Sequence, residues 1–262
     1  MTYLRSDLRR SVLSWRFAGL TLLIPLIMML SISDYISICL INGKDGANSV
    51  FSKLFEILVF DRFKPVMVVL LSSLCCPFLG NDLKTGFYRQ QLTRGTRHDY
   101  IYSKLISNSI CITLSTVLGF LLFIAAAAVF MPLRYKDPLR EGPGTFGPWW
   151  CLINGPFPLL YPIVTALQFS AYVVFLSTVS IWVSVYRPSR YLALAVPYVL
   201  FYILYAVTTF LPRPFWVWYI SSSVRCLPTT DFLTNWLYGL AFFILPTILC
   251  MWGCARSFER RW

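Results

Sequence analysis

The sequence contains one histidine, His98, and only 13% of its residues are charged, about half the share found in an ordinary soluble domain. A lone imidazole excludes the metalloprotease pattern of two histidines on one helix. No GxSxG elbow supplies a nucleophile for it to activate. The GxxxxGK[ST] phosphate loop is missing too, and the only Gly-Lys pair is Gly43 with Lys44, so the chain has no nucleotide site or catalytic centre of its own. Ionisable residues are scarce inside the apolar runs beyond Asp34, whereas ion-coupled carriers line their path with acids or arginines. Repeats, low-complexity tracts and linkers are also lacking. The eight cysteines lie mostly in apolar runs, as small hydrophobes do, and none has the spacing of a metal ligand set.

What the sequence has in quantity is apolar surface: 57% of residues are hydrophobic and 17% aromatic. A bilayer core about 30 Å thick takes about 20 apolar residues per helix. Six stretches approach that length, near 17–41, 64–80, 105–132, 160–185, 191–211 and 235–255. The expected fold is therefore all-α, a polytopic membrane protein with six transmembrane helices in one domain over 1–262. The net charge of +12 lies in short connectors beside these stretches, where it orients spans and meets anionic lipid; nucleic acid is not an expected partner. One side of the six spans holds 14 Lys and Arg and the other 9, which predicts both termini in the cytoplasm of a multi-pass protein of the plasma membrane. Arginines 5, 9, 10 and 16 precede the first apolar run and no clean small-residue cleavage site follows it, so that run is read as a retained span.

Residues 1–16 set Leu4, Leu8, Val12 and Trp15 at helical spacing among four arginines, the pattern of an amphipathic helix lying in the interface. Asp34 falls near the outer end of the first span, and Pro25 inside it. On the outer side, VFSKLFEILVF (50–60) reads as a surface-lying helix. The segment 131–162, with seven prolines, excludes regular helix over most of its length, and its Trp149–Trp150 pair resembles an interfacial anchor. The segment 211–234 reads as re-entrant or interfacial. Cys151 and Cys226 fall in loops of that side and are expected to be unpaired thiols.

The most informative stretch is NDLKTGFYRQQLTRGTRHDYIYSK (81–104), a basic connector too long for a simple turn between helices and too short for a domain. Asp82 suits the N-terminus of a helix starting near Leu83. Phe87, Tyr88 and Leu92 then form an apolar contact ridge, with Lys84, Arg89 and Arg94 directed to water or lipid. Taken with the N-terminal helix and six spans, this connector resembles that of the permease subunits of type-2 ABC exporters (the ABC-2 family of bacteria). Those carry an acid at the end of the second span, a glycine four positions on, a short coupling helix, then an Arg, an aromatic and a Lys leading into the third span. Asp82, Gly86, the segment Phe87–Leu92, Arg97, Tyr100 and Lys104 occupy these positions, with Asp where Glu is commoner.

The resemblance implies a coupling helix between spans 2 and 3, at 81–104, and ATPase-coupling roles for Asp82, Gly86, Phe87, Tyr88, Leu92, Arg97, Tyr100 and Lys104. It implies a separate ATP-binding-cassette ATPase carrying ATP and Mg, a second permease subunit in a homodimer or heterodimer, and export of an amphipathic or apolar substrate. The chain itself is then no enzyme and holds no cofactor or metal. A membrane immunity or scaffold protein that captures a ligand without moving it is the alternative.

Overall fold

The computed structural model describes residues 2–42, 49–60, 64–74, 76–92, 96–134, 146, 149–210 and 231–261. All regular structure among them is helical. The chain runs α1 (Thr2–Val12), α2 (Trp15–Ser31), α3 (Ser33–Asn42), α4 (Val50–Phe60), α5 (Lys64–Ser72), α6 (Cys76–Thr85), α7 (Phe87–Leu92), α8 (Arg97–Phe130), α9 (Trp150–Ile153), α10 (Leu160–Tyr186), α11 (Arg190–Thr209) and α12 (Phe232–Arg261).

Four of these, α8, α10, α11 and α12, are long and apolar enough to cross a membrane, and α1 with α2, bent by 54°, would raise the count to five. The expected first and second spans are each in two pieces. The first is α2 and α3, broken at Ile32, whose N–H bonds back to Met29. The second is α5 and α6, separated by a turn in which the Ser73 hydroxyl donates to the Leu70 carbonyl. Pro25 lies inside α2, which continues through it.

Two helices form the centre. α10 touches α5, α6, α8, α9, α11 and α12, and α8 touches α1 to α5 and α7 as well as α10 and α12. In its most apolar stretch α10 is 67% buried and α8 50%, against 17% for α11 and 22% for α12, so the last two helices flank the pair. Gly119 of α8 permits the closest approach: a Cβ there would lie 2.8 Å from the Ile24 side chain of α2, inside van der Waals contact.

The buried apolar residues fall into two clusters. The larger runs from Phe17 and Ile24 of α2 through Phe120, Phe123, Phe169 and Phe243. The smaller gathers Leu79, Leu83, Tyr88, Tyr100, Leu105, Ile181 and Phe258 near the start of α8. The two central helices also bury polar residues, Ser107 and Asn108 on α8 and Ser177, Thr178 and Ser180 on α10, and Asn108 Nδ2 donates to Ser177 Oγ at 2.6 Å. Asn108 and Gln168 are both fully buried.

Three sequence expectations are corrected. α4 does not lie on the surface: Val50, Phe51, Leu54, Ile57 and Leu58 are buried, and its first N–H groups bond to the carbonyls of Pro132 and Leu133 just beyond α8. Five apolar residues on one side of a helix are better satisfied by protein than by an interface. Trp149 is no interfacial anchor, being 1% exposed and packed against Tyr161 and Phe232 at 6.2 and 5.0 Å. Finally, the N-terminal helix stops at Val12, because Ser14 caps the next one by accepting from the Phe17 N–H, leaving Trp15 on α2 and 93% exposed. Asp34 is exposed in the first turn of α3. Cys151 is exposed in α9, while Cys226 and most of 211–234 lie outside the described residues.

Candidate functional site

The connector from Asn81 to Lys104 is built as an elbow. α6 ends at Thr85, Gly86 adopts φ +73°, and α7 follows at once from Phe87 to Leu92. A left-handed φ costs a residue with a Cβ about 1 to 2 kcal/mol, so glycine is suited to the bend. α8 restarts with Thr96 as its cap, the Thr96 hydroxyl accepting from the Asp99 N–H at 3.1 Å. Arg97, in the first turn of α8, is exposed. The short helix expected over Phe87–Leu92 is thus present with those bounds.

Helical spacing puts Tyr100, Ser103 and Lys104 on one face of α8, and that face meets two buried carboxylates. Lys104 Nζ lies 2.7 Å from Asp7 Oδ1 of α1 and 3.4 Å from Asp82 Oδ2 of α6. The Tyr100 hydroxyl donates to Asp82 Oδ2 at 3.2 Å, and the Ser103 hydroxyl to Asp7 Oδ2 at 2.8 Å. Unpaired, each buried charge would cost several kcal/mol; here one ammonium and two hydroxyls serve both acids. A small cavity of about 20 Å³ adjoins the cluster, with Arg10, Ser11 and Ser107 on its walls.

Asp82 therefore does not cap a helix beginning near Leu83. It stands inside α6, where its carboxylate gains a cation and a phenol, a stronger pairing than free backbone N–H groups at a helix start would give. The structure brings Asp82, Tyr100 and Lys104 together and leaves Arg97 outside. Asp7 was not singled out in the sequence. Its signal is there: it is the only acid among residues 1–16 and falls between Leu4 and Leu8 on the apolar side of a basic helix.

The elbow is fastened from other directions as well. The Tyr3 hydroxyl of α1 donates to the Gln91 carbonyl of α7 at 2.6 Å, and Arg190 Nη2 of α11 to Asn81 Oδ1 at 2.6 Å. Tyr88 is buried with its ring 6.5 Å from that of Phe258, which also meets Tyr100 at 5.9 Å. Tyr88 thus belongs to the chain's own core and offers nothing to an outside contact ridge. Phe87 does, at 39% exposed, beside an open cleft of about 320 Å³ bordered by Arg10, Asp82, Thr85 and Gln90. Lys84 and Arg89 are exposed as expected; the hydrogen bond between Arg89 Nε and the Tyr88 hydroxyl raises the guanidinium pKa above its ordinary value. The side chain of Leu92, and Arg94, lie outside the described residues.

Among the described residues no three His, Cys, Asp or Glu side chains converge as a metal site would require. The paired charges tie α1 and α6 to the foot of α8, the longest helix. Comparison of the chain with protein families, characterised proteins and solved structures returns no match.

Proposed function

We propose that the chain is the membrane permease subunit of an ABC exporter, moving an amphipathic or apolar substrate with ATP hydrolysed by a separate subunit. The observation that carries this reading is the elbow: a short helix, Phe87–Leu92, with an exposed Phe87, follows directly on α6, whose buried Asp82 is ion-paired with Lys104 of α8. A partner pressing on that helix would move a long apolar helix, which is what coupling ATP hydrolysis to transport needs. In this reading α2 with α3 and α5 with α6 are the first two of six spans, breaks in them being tolerated where protein covers the backbone. α1 lies in the interface, both termini and the elbow face the cytoplasm, and the path for substrate forms with a second permease subunit.

The test is co-purification with a candidate ATP-binding-cassette ATPase, followed by measurement of ATP hydrolysis with and without substrate. Seating a Phe or Leu in a partner's cleft contributes about 1.5 to 3 kcal/mol. Replacing Phe87 and Leu92 by Asp should therefore abolish recovery of the ATPase and export together. Lys84→Gln with Arg89→Gln should cost far less, since exposed charges contribute little. Undiminished association in a correctly inserted Phe87 and Leu92 variant would overturn the coupling role.

A further inference from the structure

Where the ends of α10 and α12 meet, a groove of about 470 Å³ opens between them. Its walls carry three aromatic rings, Trp182 and Tyr186 from α10 and Trp252 from α12, and its mouth three guanidinium groups, Arg256, Arg260 and Arg261. The site is built rather than incidental. Ser257 Oγ accepts from Trp182 Nε1 at 3.0 Å and from the Tyr186 hydroxyl at 2.9 Å while donating to the Gly253 carbonyl, so one hydroxyl fixes two rings from the opposite helix. Arg256 stands 4.9 Å over the Trp252 ring and Arg261 5.3 Å over that of Tyr186. Among the described residues none of the three arginines is paired with a carboxylate; Glu259, the acid on the same turn, points to solvent.

Below the mouth the chemistry changes. Leu245, Ile248 and Leu249 of α12 are each more than half exposed, and together they make an apolar track running from the groove along the helix. A ligand that matches both parts has an anionic head at the level of the Trp and Tyr residues, where a membrane's polar boundary favours such rings, and a hydrocarbon tail. We propose that this groove is a binding site for an anionic phospholipid, its phosphodiester held by Arg256, Arg260 and Arg261 and one acyl chain lying along Leu245 and Leu249. A second copy of this chain fits less well, because a two-fold contact here would set arginine against arginine. The inference rests on the reading of the chain as a membrane protein and not on its reading as a transporter.

The experiment is native mass spectrometry of the full chain extracted from membranes, titrated separately with phosphatidylglycerol, phosphatidylcholine and inorganic phosphate. The unaltered protein should retain one phosphatidylglycerol per chain in preference to phosphatidylcholine. Arg256→Gln, Arg260→Gln and Arg261→Gln together should weaken that binding by more than about tenfold, whereas the charge-matched Arg5→Gln, Arg9→Gln and Lys84→Gln should change it by less than about twofold. If the triple variant is not recovered from membranes, single arginine replacements should each give about a fivefold loss. Equal loss in the two triple variants, equal retention of phosphatidylcholine, displacement of the lipid by millimolar inorganic phosphate, or a fall from dimer to monomer along with the lipid would each overturn the proposal. Failure to recover the unaltered chain in the membrane fraction would instead refute the membrane reading beneath it.

Discussion

At its Arg97 end, α8 is held to its neighbours by Asp7, Asp82 and Lys104; at its Phe130 end, about 51 Å away for a 34-residue helix, it is held near a cluster of rings. There Tyr161 stands 5.7 Å from Phe51, 6.0 Å from Phe146 and 6.2 Å from Trp149, in each case edge to face. Ring contacts tolerate small shifts and are worth about 0.5 to 1.5 kcal/mol each. Buried charges do not, since a partner displaced or removed leaves a charge in a poor solvent. One end of the helix is thus held by buried charge pairs and the other lies near ring contacts, and the charged end is the one that follows α7.

Lys104→Met should break that contrast most severely. It strands two buried carboxylates at once, and removal of one member of a buried pair costs about 3 to 5 kcal/mol. Adding Asp7→Asn and Asp82→Asn should restore much of the loss, because the uncompensated charges are then gone; denaturation in detergent, followed by tryptophan fluorescence, measures both. No recovery would mean that the cluster acts through packing rather than charge. At the other end, Tyr161→Leu stays apolar but removes three ring pairs, and should cost about 1.5 to 4.5 kcal/mol; a neutral companion change there has nothing to rescue. The smallest effect is expected at the elbow. Gly86→Ala should cost about 1 kcal/mol through its φ of +73°, leaving both ends of α8 intact while reducing ATPase association in the co-purification assay. Unchanged stability would show that α6 and α7 can turn without the left-handed residue.

The all-helical class was legible because periodicity and apolar content are local properties; the bounds of α7 came from the resemblance, while the residues alone suggested a helix from near Leu83 that Gly86 in fact interrupts. Breaks were not. Ile32 interrupts α2–α3 without proline or glycine at the break, so hydropathy reads straight across it; at Ser73 the apolar run hides a local signal, Pro77, which has no N–H for the Ser73 carbonyl four residues back. Burial was harder still: α4 and Trp149 have compositions that suit an interface or a core equally, and only the rings of Phe146, Tyr161 and Phe232, distant in sequence, decide between them. At the candidate site Tyr100 and Lys104 stood out only through the resemblance, and Asp82 was expected to cap a helix near Leu83; that the three meet is a property of the fold. Asp7 needed the fold, since nothing local says that a helix near residue 7 will pack against one near residue 104.

Phe258 has a consequence for how the protein comes into being. It sits in the last helix, yet its ring covers Tyr88 and Tyr100, residues made when little more than a third of the chain had been synthesised. Until α12 is in place, Tyr88 and Tyr100 lack the ring of Phe258. A product stopping before α12 therefore lacks the ring that covers both sides of the elbow's interior.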